Sequence, residues 1–342
     1  MSAIPTLSVV MPVRNEVVHL GAVLRQLLGQ SLDSSRYEIL VVDGMSDDGT
    51  RNVVQELQSA HDNLYLLDNP ACLASSARNI GAENAQGRFV LFVDGHCHVL
   101  YNDMLEKMVQ AFKNGERCVS RPQPLASEGT GCFGEAVSLA RSSVIGHYAG
   151  SKIYNNQDRH CNPLTAGCGY ERELFWQLGG MDVNFDAAED LEFNYRVHMA
   201  GVEAFHSEKF TVEYRPRSNP KDLFRQLYRY GYGRARMTHK YIRTFSPLTV
   251  LLGLMGLWYL ILPVLGLFWP PAMVLFFSTA TPYLALTGLV SAWAARGRNP
   301  LVWLKTWFAF PAIHFGAGLG YLAGLVRGPD WSDQSCDESR EN

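Results

Sequence analysis

The chain has 342 residues, 47% of them apolar and 18% charged, with 33 acids against 30 Lys plus Arg and a mean hydropathy close to zero. Those averages suit one or two globular domains with a sizeable core. They exclude a disordered segment, a disulfide-stapled miniprotein and a strongly basic nucleic-acid binder. They also hide a segregation, because no Asp, Glu, Lys or Arg occurs from Thr244 to Ala295, a stretch of 52 residues.

In chain order, residues 7–13 and 39–42 are short runs dominated by Val, Ile and Leu, as expected of strands covered on both faces of a mostly parallel sheet. Helical spacing falls at 19–28, 50–59 and 75–85, with further strands at 64–67 and 89–93. The alternation predicts right-handed crossovers and a doubly wound α/β layer structure. After Asp94 the rhythm loosens into a helix near 103–113 and a long Gly- and Ser-containing region at 122–134, and helices return at 135–147, 171–178 and 190–200. Residues 221–241 read as a basic, aromatic-rich helix, with Leu223, Phe224, Leu227 and Tyr230 near one face, lying on a membrane surface or linking two domains.

A bilayer core takes roughly 20 apolar residues per helix, so the uncharged stretch holds two spans, 248–268 and 272–294, divided at Trp269-Pro270-Pro271. A third apolar run, 306–326, carries His314 and the small-residue series Gly316, Gly318, Gly320, which permits close helix packing. Basic residues flank short loops on the cytoplasmic side. Lys221, Arg225, Arg229, Arg234, Arg236, Lys240 and Arg243 precede the first span, and Arg296, Arg298 and Lys305 follow the second. Both segments therefore face the cytoplasm, three spans place the acidic tail outside, and Met1–Pro12 has no secretory-signal pattern. The expected organisation is a cytoplasmic domain at 1–220, an interfacial helix at 221–243, a membrane domain at 244–327 and a tail at 328–342. The seven cysteines form no Cys-x-x-Cys pair and read as reduced thiols.

Ligands of doubly wound sheets sit beyond the carboxyl ends of the strands, which directs attention to Arg14-Asn15-Glu16, Asp43-Gly44 and Asp94-Gly95-His96. Asp94 and His96, alternate residues after a strand, suit a Mn²⁺ or Mg²⁺ ion bridging a diphosphate; a solvated turn is the competing reading. Glu189-Asp190 opens a helix, where free amides favour an ionised carboxylate. Asp190 can therefore serve as a base toward a sugar hydroxyl, or the pair can simply cap the helix. The loop D-G-M-S-D-D-G-T at 43–50 can accept hydrogen bonds from a base and ribose, with Arg78 countering phosphate charge, or be a plain turn. No Walker loop or G-x-G-x-x-G is present, which argues against ATPases and dinucleotide-dependent dehydrogenases.

Taken together, V-V-M-P-V-R-N-E at 9–16, V-V-D-G-M-S-D-D-G-T at 41–50, A-R-N-I-G at 77–81, V-D-G-H at 93–96, E-D at 189–190 and Y-R-P-R-S-N-P from 214 resemble glycosyltransferase family 2, the inverting enzymes of the GT-A fold. Within it the set is most similar to membrane-attached transferases of succinoglycan-type exopolysaccharide assembly. The resemblance implies a nucleotide-sugar pocket lined by Pro12, Arg14, Glu16, Asp43, Arg78 and Asp94. It places Asp94 and His96 in the D-x-D positions, holding a divalent metal, and makes Asp190 the catalytic base. Glu189, Gln226 and Arg229 fall on the acceptor or product side, the last two in a Q-x-x-R-Y variant of the Q-x-x-R-W motif of processive members. The implied reaction moves a hexose, glucose by preference, from a UDP-linked donor to a lipid-linked or polysaccharide acceptor. The implied location is the bacterial inner membrane, multi-pass, with membrane lipids as partners and no nucleic acid. The alternative is a non-catalytic nucleotide-binding subunit of a polysaccharide-export complex, whose signature would be loss of Asp43, Asp94 and Asp190.

Overall fold

The computed structural model describes residues 4–126, 129–147 and 157–328. In chain order the strands are β1 (Leu7–Val13), β2 (Tyr37–Asp43), β3 (Leu64–Asp68), β4 (Phe89–Phe92), β5 (Cys97–Val99), β6 (Cys118–Ser120), β7 (Arg159–Cys161), β8 (Gly167–Glu171), β9 (Ala204–His206) and β10 (Val212–Tyr214). The helices are α1 (Leu20–Leu28), α2 (Thr50–Gln58), α3 (Ala74–Asn84), α4 (Met104–Lys113), α5 (Gly131–Ser142), α6 (Arg172–Gln177), α7 (Glu189–Met199), α8 (Pro220–Lys240), α9 (Pro247–Gly266), α10 (Pro271–Ala294) and α11 (Pro300–Arg327). The described chain forms two compact units, residues 4–124 with 157–214 and residues 125–147 with 215–328.

The first unit is a mixed sheet in the order β3-β2-β1-β4-β8-β6-β9-β7. Strands β3, β2, β1 and β4 are parallel, with Val10 opposite Leu40 and Phe92, and β8 runs antiparallel between β4 and β6. Because side chains alternate across a strand, β1 feeds two cores. Val9 and Met11 join Ile39, Val41 and Leu91 under α1 and α4, whereas Val10 joins Leu40, Val90 and Phe92 under α3 and the Tyr170, Phe175 and Phe193 cluster. Burial on both faces explains why these strands read as continuous apolar runs rather than alternating ones. Helix α3 approaches so closely that a Cβ on Gly81 would overlap the Val10 side chain. That contact sets the height of Arg78, one turn earlier on the same helix.

Six strands, β5 to β10, escape sequence reading, and two of them bear on the site. β5, just after Asp94, pairs antiparallel with β10, Cys97 opposite Tyr214 and Val99 opposite Val212. Three residues each are too few to show a period, and their partner lies more than a hundred residues away. Of the cysteines, 97, 118, 132, 161 and 168 are free thiols.

The second unit is helical. α9, α10 and α11, with 20, 24 and 28 residues, are long and apolar enough to cross a membrane. They overlie the runs expected at 248–268, 272–294 and 306–326, the last beginning six residues earlier than read. Helix α5 belongs with them: Val137 and Ala140 pack with Leu223 and Leu227 of α8 and Ala309, Phe310 and Ile313 of α11. Its apolar positions are small residues that periodicity does not single out. The glycine series does bring helices together. Gly316, Gly320 and Gly324 lie against α8 at Phe224, Tyr228 and Tyr232, and Gly318 lies against Gly253 of α9. The tail beyond Gly328 lies outside the described residues.

Candidate active site

The strand ends of the first unit gather most of the expected residues. Asp94 follows β4 and is half-buried; one carboxylate oxygen accepts from Arg78 Nη2 at 3.1 Å and the other from the Tyr214 hydroxyl at 2.7 Å. The Arg78 guanidinium is buried, lies 6.0 Å from the centre of the Phe92 ring, and donates through Nη1 to Glu189. One cation thus ties the Asp-x-His segment to the Glu-Asp pair. Burial opposes ionisation of Asp94, but the Arg78 guanidinium foremost, with the Tyr214 hydrogen bond, overrides it and holds the carboxyl below its ordinary pKa. Burial likewise works against the Arg78 charge, and Glu189, Asp94 and Asp190 more than restore it.

Glu189 and Asp190 open α7 behind Ala188, a non-glycine residue held at φ 62°, a conformation that costs free energy and is retained where the surroundings enforce it. Asp190 accepts from the Leu191 amide at 2.7 Å. Its surface is open to solvent, but protein surrounds it closely enough that desolvation, joined by the Glu189 charge and opposed by Arg78, raises its pKa to about 6. Further along α7, Glu192 and Arg196 form an i,i+4 pair at 2.7 Å, and Arg196 also donates to the Gly180 carbonyl. Those two residues anchor the helix.

On the other side of β1, the loops after β1 and β2 are zipped together. The amides of Asn15, Glu16 and Val17 donate to Ser46, Thr50 and Asp48, with Asn15 at φ 53°. Pro12 lies near the end of β1 opposite Val42, and Arg14 is half-buried against Gly44, where a Cβ would come within 3.3 Å of the Arg14 side chain. Asp43 is fully buried. Its Oδ2 accepts from Arg51 at 2.9 Å and from the Ser46 amide, while Oδ1 has no hydrogen-bond partner. A buried carboxylate oxygen without a donor is costly and offers a seat for a ligand N–H.

The donor set around Asp94 and His96 fits a divalent cation. His96 Nδ1 lies 2.8 Å from Glu16 Oε1; with the carboxylate accepting, the imidazole carries its proton on Nδ1 and turns Nε2 into the ligating nitrogen, the usual outer support of a metal-binding histidine. Among the described residues no cluster of three or more His, Cys, Asp or Glu gathers. Among the described residues Asp94 and His96 are thus the two candidate ligands, and oxygens of a bound diphosphate would have to supply others. His98, two residues beyond His96, bonds Gln26 at 2.8 Å.

Tyr214 and Arg121 are the residues that sequence reasoning missed. Tyr214 begins the Y-R-P-R-S segment, so its motif was visible but its role was not, because that role depends on the β5–β10 pairing. Arg121 is 2% exposed and donates to the Tyr214 oxygen at 3.4 Å. Its Nε and Nη1 have no hydrogen-bond partner. Gln226 and Arg229 belong to the second unit, exposed on α8. A cavity of about 930 Å³ opens near the start of β1, lined by Ile4, Glu83, Arg88, Glu171 and Trp176 among others. It contains none of the strand-end groups.

The model of the family Glycosyl transferase family 2 matches residues 8–179, half of the chain, with β1, the Asp43 loop, Arg78 and the Asp94-x-His96 segment inside the match. The chain belongs to glycosyltransferase family 2. It is a glycosyltransferase with a GT-A-type α/β fold. It is 29% identical over 250 residues to the succinoglycan biosynthesis protein ExoA of Rhizobium meliloti, covering 71% of this chain and 74% of that one. It is 25% identical over 254 residues, 68% of this chain and 74% of the other, to a dolichyl N-acetyl-α-D-glucosaminyl phosphate 3-β-D-2,3-diacetamido-2,3-dideoxy-β-D-glucuronosyltransferase of Methanococcus voltae. Among solved structures, the mannosyltransferase PcManGT from Pyrobaculum calidifontis, in complex with GDP-Man and Mn²⁺, aligns with a TM-score of 0.57 at 18% identity, over 94% of this chain and 88% of that one. That likeness concerns the fold. The family's relatives make exopolysaccharide and related glycans.

Proposed function

We propose that the protein transfers a hexose, glucose by preference, from a UDP-linked donor to a lipid-linked glycan acceptor with inversion at the anomeric carbon, in bacterial exopolysaccharide or envelope glycan synthesis. The observation that carries this reading is the Asp94–Arg78–Glu189 chain of contacts, which unites the Asp-x-His segment with Asp190 at one end of the sheet. In this reading the buried, unpartnered Oδ1 of Asp43 receives the uracil N–H, and Pro12, Arg14 and Glu16 line the nucleotide pocket. Asp94 and His96 would hold Mn²⁺ or Mg²⁺, which would supply positive charge to the leaving diphosphate. Arg78 adds a second positive charge beside that diphosphate.

Asp190, lifted toward neutrality by its surroundings, takes the proton from the acceptor hydroxyl as the new C–O bond forms and the bond to the diphosphate breaks. Its pKa of about 6 leaves it ionised at neutral pH yet a stronger base than an ordinary aspartate. Glu189 and, on α8, Gln226 and Arg229 are assigned to the acceptor or product side. α9 and α10 cross the bacterial inner membrane and the basic α8 meets its cytoplasmic surface, where a lipid-linked acceptor is presented.

The test is transfer by the purified full chain in lipid nanodiscs, with UDP-glucose, other UDP-hexoses and GDP-mannose offered in turn to polyprenyl-diphosphate saccharides, with and without Mn²⁺. UDP-glucose is expected to give the fastest metal-stimulated transfer. A preference for GDP-mannose would overturn the donor assignment. Failure to transfer from any of these donors would overturn the reading as a whole.

A further inference from the structure

We infer that α11 is not a third membrane span but lies across the cytoplasmic end of the α9–α10 hairpin, forming with α8 and α5 a layer that rests in the headgroup region, so that the chain crosses the membrane twice. This rests on the reading that α9 and α10 cross a bilayer.

α9 and α10 form an antiparallel pair. Gly266 meets Met273 near the turn, and Tyr259 bonds the Thr279 carbonyl at 2.9 Å and approaches Tyr283. The start of α9 and the end of α10 therefore share one end of the hairpin. At 28 residues and about 1.5 Å per residue, α11 is about 42 Å long. A third span following α10 would carry its second half away from that end, toward the turn at Trp269. The contacts run otherwise. Trp303 donates to the Gly288 carbonyl and Trp307 to that of Leu284, about 9 and 15 Å before the end of α10. His314 meets Tyr283 at 3.0 Å, and Phe315 packs beside Gly256. Gly318 then lies against Gly253, and the Tyr321 hydroxyl accepts from the amide of Ser246, which caps α9, at 3.1 Å. Helix α11 thus starts beside the end of α10 and returns to the start of α9. The middle of α11 reaches deepest, where the Phe315 ring lies 5.7 Å from that of Tyr259, roughly 18 Å along α9, before its second half turns back toward the start of α9.

What covers α11 agrees with this. The most apolar stretch of α11 is 56% buried by protein, against 17% for α9 and 11% for α10. Its second half is packed against α8, from Gly316 beside Phe224 to Gly324 beside Tyr232, with Thr238 bonded to Tyr321 at 2.8 Å. Helix α8 carries Lys221, Arg225, Arg229, Arg234, Arg236 and Lys240. If the second half of α11 crossed the hydrocarbon, α8 would be drawn in beside it with those cations, a placement membranes penalise heavily. At the interface the same cations face anionic headgroups. Trp303 and Trp307, stacked with centroids 5.9 Å apart, suit that depth too. The expectation of an external tail, which assumed three spans, gives way to a C terminus on the side that carries α8.

The inference is tested in the full chain with one cysteine added at a time, Phe268→Cys in the turn, Arg296→Cys between α10 and α11, and Val326→Cys at the end of α11. Each is labelled with a membrane-impermeant maleimide in inverted and right-side-out vesicles, the unsubstituted chain serving as the blank. Positions 296 and 326 are expected to label in inverted vesicles and position 268 in right-side-out ones. Position 326 labelling with 268 would overturn the inference and leave the hairpin standing. All three labelling from one side would overturn the hairpin reading and this inference together. Should a cysteine variant fail to fold, a fluorescent protein fused after Asn342 gives a second measure, bright in the cytoplasm as expected here and dark if exported unfolded across the membrane.

Discussion

Asp190 and Asp94 are two carboxylates whose surroundings push their pKa values in opposite directions, the arrangement expected when one must accept a proton and the other must stay charged. For Asp190 the sign is direct. Its pKa of about 6 predicts a transfer rate that climbs about tenfold per pH unit below 6 and levels above it, read from kcat/KM against pH with the acceptor limiting. A carboxyl with a raised folded-state pKa stabilises the fold most below its unfolded pKa, and that contribution is lost as pH rises through about 6. Asp190→Asn is therefore expected to melt no lower than the parent at pH 7 while losing activity, a split that a structural cap would not produce. Asp94 is held ionised partly by Tyr214. A hydrogen bond to a charged group contributes about 1.5 kcal/mol at the low end, so Tyr214→Phe is expected to weaken donor and Mn²⁺ binding about tenfold with little change in kcat, measured by calorimetry and initial rates. Residue by residue, the positions of Asp43 and Asp94 at the ends of apolar strands could be read from the sequence, whereas Asp190, in the first turn of α7, could be placed on its helix but not beside Arg78. The partners Tyr214 and Arg121 were not legible, since their roles come from packing between distant segments.

Among the elements, the parallel strands were readable from unbroken Val, Ile and Leu runs, and the apolar helices from the missing charges. The three-residue β5 and β10, and the placement of α5, depend on tertiary pairing that leaves no local period. Close helix approaches give two predictions at this scale. Gly81→Leu forces a side chain into Val10 and is expected to cost about 1–3 kcal/mol as overpacking, lowering the melting temperature and loosening Arg78. A thermal scan with and without UDP checks it, the shift produced by UDP shrinking along with the melting point. In the helical unit, a Cβ on Gly320 would overlap the Tyr228 backbone, whereas one on Gly288 would meet only ordinary contacts at 3.5 Å. Gly320→Leu is accordingly expected to spread or aggregate on size exclusion in detergent, and Gly288→Ala to elute as the parent does.

The whole molecule joins a polar sheet unit to a helical unit that contains the uncharged stretch, and the average composition conceals both. That segregation, visible from the charges alone, points to helices long and apolar enough to cross a membrane before any motif is considered; the arrangement of the helices around α11 could not be read from it, because hydropathy records how apolar a helix is and not what covers it. Asp190 is proposed as the base of an inverting transfer supported by the Asp94–Arg78–Glu189 contacts. That role is tested most directly by determining the anomeric configuration of the product by NMR, using the α-linked UDP-hexose that gives the fastest transfer, for the parent chain and for Asp190→Asn. The expected result is a β-linked product from the parent and a rate lowered roughly 10²- to 10⁴-fold in the variant. An α-linked product, or an undiminished rate in Asp190→Asn, would contradict the proposed role.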